Sequence, residues 1–254
     1  LGLVIIDEQH KFGVEQRALL RKDSAPHCLV MTATPIPRTL AMTAFGDLDV
    51  SIIKQSPPGR GPVITRKVDY RDRPKAEEFI RHRLKAGRQA YFVYPRIISE
   101  QSESDAQVKA AVDEYERLSG EVFSEYKVGL LHGRLKSEEK RKVMDDFRRG
   151  QLNVLVSTVV MEVGVDVPNA TIMVIEGADR FGMAQLHQLR GRIGRGRMKS
   201  YCLLFAETDN ETARDRLDVM TRSNDGFQIA EYDLRLRGPG ELFSTRQHGL
   251  PDLK

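Results

Sequence analysis

Acidic residues follow the first apolar run of this sequence, and their types suit the binding and hydrolysis of Mg-ATP. Asp7 and Glu8 come directly after the run Leu3 to Ile6, at the position where open α/β sheets bind ligands. An aspartate there can hold Mg²⁺ through water, and a neighbouring glutamate can orient or deprotonate the attacking water. As a lone dipeptide, Asp-Glu would be an ordinary loop. With the other motifs, we expect Asp7 to hold Mg²⁺, and Asp7, Glu8 and His10 to be catalytic.

A hydroxyl-rich turn, Thr32-Ala33-Thr34, follows the second apolar run, Cys28 to Met31. Its hydroxyl groups can bond the neighbouring acidic segment and report the state of the γ-phosphate. The simpler alternative is a Ser/Thr turn that caps the next element. Both can hold at once, because a coupling hinge must also be a well-formed turn. We expect Thr32, Ala33 and Thr34 to couple hydrolysis to movement.

The segment from Val159 to Pro168 is too apolar for a surface loop, yet it carries Gly164 and Asp166. Glycine permits close approach of the backbone to a ligand, and aspartate can accept a hydrogen bond from a ribose hydroxyl. Without the other motifs, a Gly-x-Asp turn at the end of a strand would explain the pattern equally well. We expect both residues to contact a nucleotide.

A basic stretch from Gln185 to Ser200 contains five cations and no acid. Within it, Arg192 and Arg195 are three residues apart on what we predict to be a helix, so both can face one cleft. An arginine finger on the γ-phosphate accelerates hydrolysis by about 10³ to 10⁵, whereas a surface ion pair contributes about 0 to 1 kcal/mol. Since no acid lies nearby in sequence, we expect Gln188, Arg192 and Arg195 to be catalytic and both arginines to bind the nucleotide.

One component of an ATP site is missing from the sequence. The phosphate-cradling loop G-x-x-x-x-G-K-[ST] requires a Gly-Lys pair, and none of the 20 glycines is followed by lysine. Residue 1 is Leu, and the sequence opens directly on a buried-strand pattern. We therefore expect a fragment of a longer protein, cut inside one domain, that does not hydrolyse ATP by itself.

Composition places the chain among soluble globular proteins, with 40% hydrophobic and 30% charged residues. A net charge of +4 is compatible with phosphate binding but is not evidence for it. Cys28 and Cys202 each lie inside an apolar run, which favours two reduced, buried thiols over a disulfide or a metal site. No apolar run approaches the length of about 18 residues that spans a membrane, and no signal-peptide pattern is present, so we expect a cytoplasmic protein.

Short apolar runs alternate with longer amphipathic stretches, a pattern typical of an α/β fold with a parallel sheet. Helices are predicted at Lys75 to Ala86 and at Ser137 to Arg149, the second with Ser137 as N-cap and Gly150 as its stop. Strands are predicted at Leu3 to Ile6, Cys28 to Met31, Ala90 to Val93, Lys127 to Leu131, Val154 to Ser157, Thr171 to Ile175 and Tyr201 to Phe205.

The best candidate for a linker is the proline- and glycine-rich segment around residues 57–62, which can continue neither a helix nor a central strand. We predict the C-terminal part of a first α/β domain at residues 1–56 and a complete second domain at 63–207. Beyond residue 207 the sequence becomes charged and helical, and residues 208–254 are predicted to form a helical appendage and an extended loop.

In order and type, these motifs resemble those of superfamily 2 helicases from the second motif onward. The resemblance implies two RecA-like domains with ATP and Mg²⁺ between them. The segments Met31 to Thr39 and Asp233 to Glu241 are similar to the bacterial RecG family of branched-DNA translocases, which shares both features with the transcription-repair coupling factor. Thr245-Arg246-Gln247, together with Ser56 to Arg60, favours RecG.

The RecG resemblance implies that Gly226 to Gly249 is a helical hairpin and loop that couples ATP turnover to movement on duplex DNA. Its DNA-translocation residues would be Arg237, Thr245, Arg246 and Gln247. Phe243-Ser244 and His248 depart from the family's pattern and leave the conformation of this loop open.

The same resemblance implies that the whole protein is an ATP-dependent DNA helicase, that it acts as a monomer and that no membrane is among its partners. Its partners would be branched double-stranded DNA, namely stalled replication forks and Holliday junctions in repair and recombination. An N-terminal wedge domain and the domain with the Walker A loop would complete it.

Two alternatives remain open from the sequence. One keeps the enzyme class and makes the chain the motor of the transcription-repair coupling factor, which pushes stalled RNA polymerase. The other is a non-catalytic DNA-binding module, which the missing phosphate loop supports. The upstream sequence would decide between these alternatives. A polymerase-interaction module differs in fold from a branch-gripping wedge, and a Gly-Lys-[Ser/Thr] loop would favour the enzyme over the non-catalytic module.

Overall fold

The strands in the described part of this chain are all parallel and form two sheets. A computed structural model describes residues 2–7, 27–32, 49–53, 55, 57–95, 103–158 and 166–237, with only the backbone for 103–107 and 237. The smaller sheet contains β1 (Leu3–Asp7) and β2 (His27–Met31), paired in register from Leu3 opposite His27 to Asp7 opposite Met31.

The larger sheet has six strands in the order β3-β8-β7-β4-β6-β5. Its central strands are buried along most of their length, because helices cover both faces of a parallel sheet, and this explains their continuous apolar sequences. The strands are β3 (Val63–Val68), β4 (Gln89–Tyr94), β5 (Val128–Leu131), β6 (Val154–Thr158), β7 (Ala170–Ile175) and β8 (Ser200–Phe205).

Six α-helices flank this sheet within the described ranges. They are α1 (Arg73–Lys85), α2 (Glu103–Arg117), α3 (Ser137–Arg148), α4 (Met183–Arg190), α5 (Glu211–Arg222) and α6 (Gly226–Arg237). Ile80 and Leu84 of α1 pack with Phe92 and Phe205 on one face of the sheet. Residues of α3 to α6 form a second core with Tyr91 on the other face.

The predicted strands are confirmed, each end falling within one residue of the observed bound. Sequence analysis missed β3, because Thr65-Arg66-Lys67 interrupts its apolar pattern. An edge strand tolerates such charges, and β3 lies at one edge of the six-stranded sheet.

The predicted helices are confirmed with two changes at their N-termini. α1 begins at Arg73, ahead of the predicted Lys75, because Pro74 suits the first helical turn. Ser137 was wrong as the N-cap of α3: Lys136 occupies that position, and its backbone N–H donates to Glu139 Oε2 over 2.8 Å. Gly150, at φ 74°, follows the last turn as expected.

Helices α5 and α6 form a hairpin joined by residues 223–225. The Asn210 side chain caps α5 by accepting from the Ala213 N–H over 3.1 Å. Both helices lie within the predicted segment 208–254, and of the segment Gly226 to Gly249 that the resemblance implies, the part after Arg237 lies outside the described residues. Across the described ranges, no helix is both long and apolar enough to cross a membrane.

Candidate nucleotide site

The predicted acidic and hydroxyl residues lie at one edge of the two-stranded sheet. Asp7 is the last residue of β1 and stands in register with Met31, the last residue of β2, so Thr32 follows at the same edge. Both Asp7 and Thr32 are exposed. The structure therefore brings these two predicted residues to the carboxyl ends of neighbouring parallel strands, where α/β sheets bind ligands.

A second group of predicted residues lies within electrostatic reach of Tyr91 of β4. Its side chain is 2% exposed, and this burial is the largest cause of a raised pKa of the phenol. The positive charges of Arg192 and Arg195 lower the same pKa, while the negative charge of Asp166 raises it. Three residues predicted from distant parts of the sequence thus lie within electrostatic reach of one buried hydroxyl.

Sequence reasoning missed Tyr91. It stands in the apolar strand sequence Gln89 to Tyr94, where an aromatic residue is expected in the core. The only available signal was its hydroxyl, because a buried tyrosine generally places that group next to polar partners.

Arg195 contacts the predicted ribose ligand Asp166. Its Nη1 lies 3.7 Å from Asp166 Oδ1, and its Nε donates to the Gly191 carbonyl over 3.2 Å. The Asp166 side chain is 55% exposed and that of Arg195 26%, so the pair contributes only about 0 to 1 kcal/mol. An acid is therefore near in space although none is near in sequence, and the weak pair can exchange for a ligand at low cost.

Arg192 and Arg195 do not lie on a helix, and that prediction was wrong. Helix α4 ends at Arg190, and the chain turns through Gly191 to Gly194. Gly194 has φ 72°, and a Cβ there would lie 2.5 Å from a methyl group of Val63. The left-handed conformation of Gly194 and its close approach to β3 belong to the turn that follows the helix, and this turn carries both arginines.

Other predicted residues have fewer described contacts. Gln188 is half-buried on α4, one turn before Arg192. Arg237 is the last residue of α6 and is described for its backbone alone. Eight predicted residues lie outside the described ranges: Glu8, His10, Ala33, Thr34, Gly164, Thr245, Arg246 and Gln247.

A buried charged cluster at the end of β7 was not predicted. Glu176 Oε2 accepts a hydrogen bond from Arg73 Nη2 over 2.7 Å. Burial raises the pKa of Glu176, and the Arg73 charge opposes that rise. Arg117 bonds Glu77 and Glu114 beside them. The cluster fixes α1 and α2 to the end of β7, which is a structural role.

The candidate metal site rests on Asp7 alone. In the part of the chain that the structure describes, no group of three His, Cys, Asp or Glu side chains could hold a metal ion. A magnesium ion held through water and phosphate oxygens needs only one or two protein carboxylates, which fits a single aspartate. Both cysteines are free thiols, Cys28 half-buried and Cys202 buried.

Two family models match the chain. The helicase conserved C-terminal domain matches residues 82–197. The model for domain 3, C-terminal, of the ATP-dependent DNA helicase RecG matches residues 223–254.

Curated relatives match along the whole sequence. The chain is 58% identical to the ATP-dependent DNA helicase RecG of Synechocystis sp. over 99% of its length, and 54% identical to that of Thermotoga maritima over 100%. It spans only 30% and 32% of the lengths of those two relatives.

Solved structures agree with this fold. A structure of RecG bound to a three-way DNA junction matches with a TM-score of 0.76 and 50% identity, covering 100% of this chain and 32% of that one. The helicase MrfA bound to DNA matches with a TM-score of 0.63 at 20% identity, over 92% of this chain and 37% of its own, which shows the fold alone. The six-stranded sheet and its helices therefore have the RecA-like helicase fold.

Proposed function

We propose that this chain, which belongs to the RecG family of ATP-dependent DNA helicases, is the motor portion of a translocase that acts on branched double-stranded DNA. Its DNA substrates are stalled replication forks and Holliday junctions, in repair and recombination. The observation that carries the proposal is the ion pair of Arg195 with Asp166, which lies with Arg192 within electrostatic reach of Tyr91. Whole-length identity to RecG relatives supports it.

The arginines act on the phosphates of ATP. Arg195 releases its weak partner Asp166 and places its planar guanidinium on the γ-phosphate, where charge develops in the transition state. Arg192, from the same turn, gives a second cation, and Gln188 helps to position the reacting groups. Because these contacts strengthen mainly in the transition state, they raise the rate more than the affinity.

Asp166 is freed when Arg195 moves to phosphate, and its carboxylate then accepts a hydrogen bond from a ribose hydroxyl. Gly164 lets the backbone approach the nucleotide. The same ion pair therefore links recognition of the sugar to recognition of the phosphate.

The smaller sheet supplies the groups for hydrolysis. Asp7 would hold Mg²⁺ through water, Glu8 and His10 would orient the attacking water, and Mg²⁺ would supply positive charge that neutralises the phosphates. Thr32, Ala33 and Thr34 follow the neighbouring strand and respond to the state of the γ-phosphate. The shared edge of Asp7 and Thr32 supports this division of roles.

The phosphate loop comes from another part of the protein. The relatives are about three times as long as this chain, since it spans 30% to 32% of them, and no Gly-Lys pair occurs in the 254 residues. The Walker A domain and the branch-gripping wedge belong to that remaining length. The whole protein acts as a cytoplasmic monomer.

The hairpin α5–α6 ends at the first of the DNA-translocation residues, Arg237, and Thr245, Arg246 and Gln247 follow it in the sequence. The match of residues 223–254 to a RecG-specific model favours RecG over the motor of the transcription-repair coupling factor. It also argues against a non-catalytic DNA-binding module.

The test uses the full-length protein that contains this chain. ATP hydrolysis and unwinding are measured with a three-way junction, with linear duplex of the same length and without DNA. We expect the junction to stimulate hydrolysis most and to be unwound in an ATP-dependent way. Binding of the junction without ATP hydrolysis would favour the DNA-binding module and contradict the proposal.

A further inference from the structure

The linker at residues 57–62 packs against the turn that follows α4. The Gly61 N–H donates to the Gly196 carbonyl over 2.7 Å, and the Ser200 N–H donates to the Pro62 carbonyl over 2.9 Å. These two bonds extend the pairing of β3 with β8 beyond the start of both strands. The linker is therefore fixed to the six-stranded sheet before β3 begins.

The backbone approaches closely at this contact. A Cβ on Gly61 would collide with the Met198 carbonyl, and a Cβ on Gly196 would lie 3.0 Å from the Pro168 carbonyl oxygen. Glycine allows such an approach because it has no side chain. Three segments from distant parts of the sequence therefore meet at one place, namely the linker, the segment 166–168 and the turn after α4.

Arg60 is the only charged residue of the linker. It is exposed, and no ion pair joins it to another residue of the described ranges. Gly59, at φ 85°, turns the chain just ahead of it, and Pro62 restricts the backbone two residues after it. The linker thus presents one guanidinium from a backbone that is held on both sides, which lowers the entropy lost when the group binds a ligand.

Arg60 lies beside Arg195, the arginine assigned to the γ-phosphate. The hydrogen bond from Gly61 to Gly196 joins the residue after Arg60 to the residue after Arg195. The two arginine side chains therefore start from adjacent stretches of backbone, and the Arg195 guanidinium in turn lies 3.7 Å from the Asp166 carboxylate. This places Arg60 at the same site as the other nucleotide-binding residues.

The three segments carry far more positive than negative charge. Asp166 is the only acid in residues 57–62, 166–168 and 191–199. The same residues contain five cations, which are Arg60, Arg192, Arg195, Arg197 and Lys199. Five cations against one carboxylate attract an anion of high charge, and the triphosphate of a nucleotide is such an anion.

We infer that Arg60 is a further nucleotide-binding residue, supplied by the linker, and that its guanidinium binds the phosphates of ATP. The inference rests on the proposed function, since it adds a ligand to the same nucleotide site. A planar guanidinium suits phosphate because it donates two parallel hydrogen bonds. Arg60 has no ion pair to give up within the described ranges, so it binds phosphate before the reaction starts and contributes to affinity. Arg195, by contrast, contributes mainly in the transition state.

The test measures the Kd of a non-hydrolysable ATP analogue for the full-length protein, together with kcat for ATP on a fork. Arg60→Ala removes the guanidinium, and Arg60→Lys keeps the charge without the planar fork. Arg66→Ala is the matched control, because it removes one exposed cation from β3 at about 10 Å from the start of that strand. The thermal stability of each variant shows that it folds.

For Arg60→Ala we expect the Kd to rise about tenfold, as for the loss of one hydrogen bond to a charged group, while kcat at saturating ATP stays within about twofold of wild type. Arg60→Lys should recover part of the affinity, and Arg66→Ala should match wild type. An unchanged Kd in Arg60→Ala would overturn the inference. So would a fall in kcat at unchanged Kd, which is the behaviour of a residue that only positions Arg195.

Inorganic tripolyphosphate separates a phosphate contact from a contact with the base or the ribose. It should compete with the ATP analogue in wild type, and Arg60→Ala should weaken the binding of both by the same factor. A variant that bound the analogue weakly but tripolyphosphate like wild type would overturn the phosphate contact. Weaker binding of a DNA junction with unchanged nucleotide binding would place Arg60 on DNA and overturn it as well. Wild-type protein that binds no ATP analogue would instead overturn the proposed function.

Discussion

The Arg195 guanidinium lies 3.7 Å from the Asp166 carboxylate, and both groups remain accessible to solvent. A pair this long and this exposed stabilises the fold by at most about 1 kcal/mol. A bound nucleoside triphosphate would separate the two side chains, because the guanidinium would turn to the phosphate and the carboxylate to the ribose. Breaking this ion pair would therefore cost a ligand little binding free energy.

Asp166→Ala tests the ribose contact. In the full-length protein we expect the KM for ATP to rise about tenfold, because a hydrogen bond to a charged group contributes about 1.5 to 3 kcal/mol. The control is 2′,3′-dideoxy-ATP, which lacks the hydroxyls that Asp166 would bond. Wild type and variant should use dideoxy-ATP equally, and an equally large loss with both nucleotides would show that Asp166 acts elsewhere.

Arg246→Ala and Gln247→Ala test the translocation segment that the RecG resemblance assigns. DNA-stimulated hydrolysis should persist while fork unwinding falls, because the resemblance assigns these residues to contact with DNA and not to the phosphates of ATP. Loss of one phosphate contact by Arg246→Ala should also reduce the salt slope of DNA binding by about 1. If instead Arg246 merely pairs with a nearby acid such as Glu241, unwinding should be unchanged.

Cys202 gives a test of the core of the six-stranded sheet. Complete burial raises the pKa of this thiol to about 12, so at pH 8 only about one molecule in 10⁴ carries the reactive thiolate. We expect iodoacetamide to leave Cys202 unmodified in the folded protein and to modify it in denaturant, as measured by peptide mass spectrometry. Raising the pH toward 12 without unfolding should increase its reactivity. Rapid labelling at pH 8 in the folded state would contradict the observed burial.

The parallel sheet could be predicted from sequence because its central strands are buried on both faces and therefore read as unbroken apolar runs. β3 could not, since an edge strand is free to carry Arg66 and Lys67. Tyr91 could not be identified as a site residue either, because it lies in an unbroken apolar run. Its strand is apolar, and only the fold shows that its hydroxyl lies within electrostatic reach of three charges.

The candidate site was predictable in part. Residue types and spacing pointed to Asp166, Arg192 and Arg195, but neither the Asp166–Arg195 contact nor the turn that carries the arginines could be derived. That turn depends on the approach of Gly194 to Val63, a contact between distant parts of the sequence. The hydrogen bond from Gly61 to Gly196 depends equally on long-range packing.

DNA-stimulated ATP hydrolysis by Arg195→Ala in the full-length protein is the most direct test of the central claim. The claim is that Arg195 stabilises the transition state of phosphoryl transfer. We expect kcat to fall by about 10³ or more while the affinity for ATP stays within about tenfold. Arg197→Ala, an exposed arginine two residues away, should hydrolyse ATP at the wild-type rate. A variant of Arg195 that lost ATP binding but kept the wild-type rate at saturation would contradict the account.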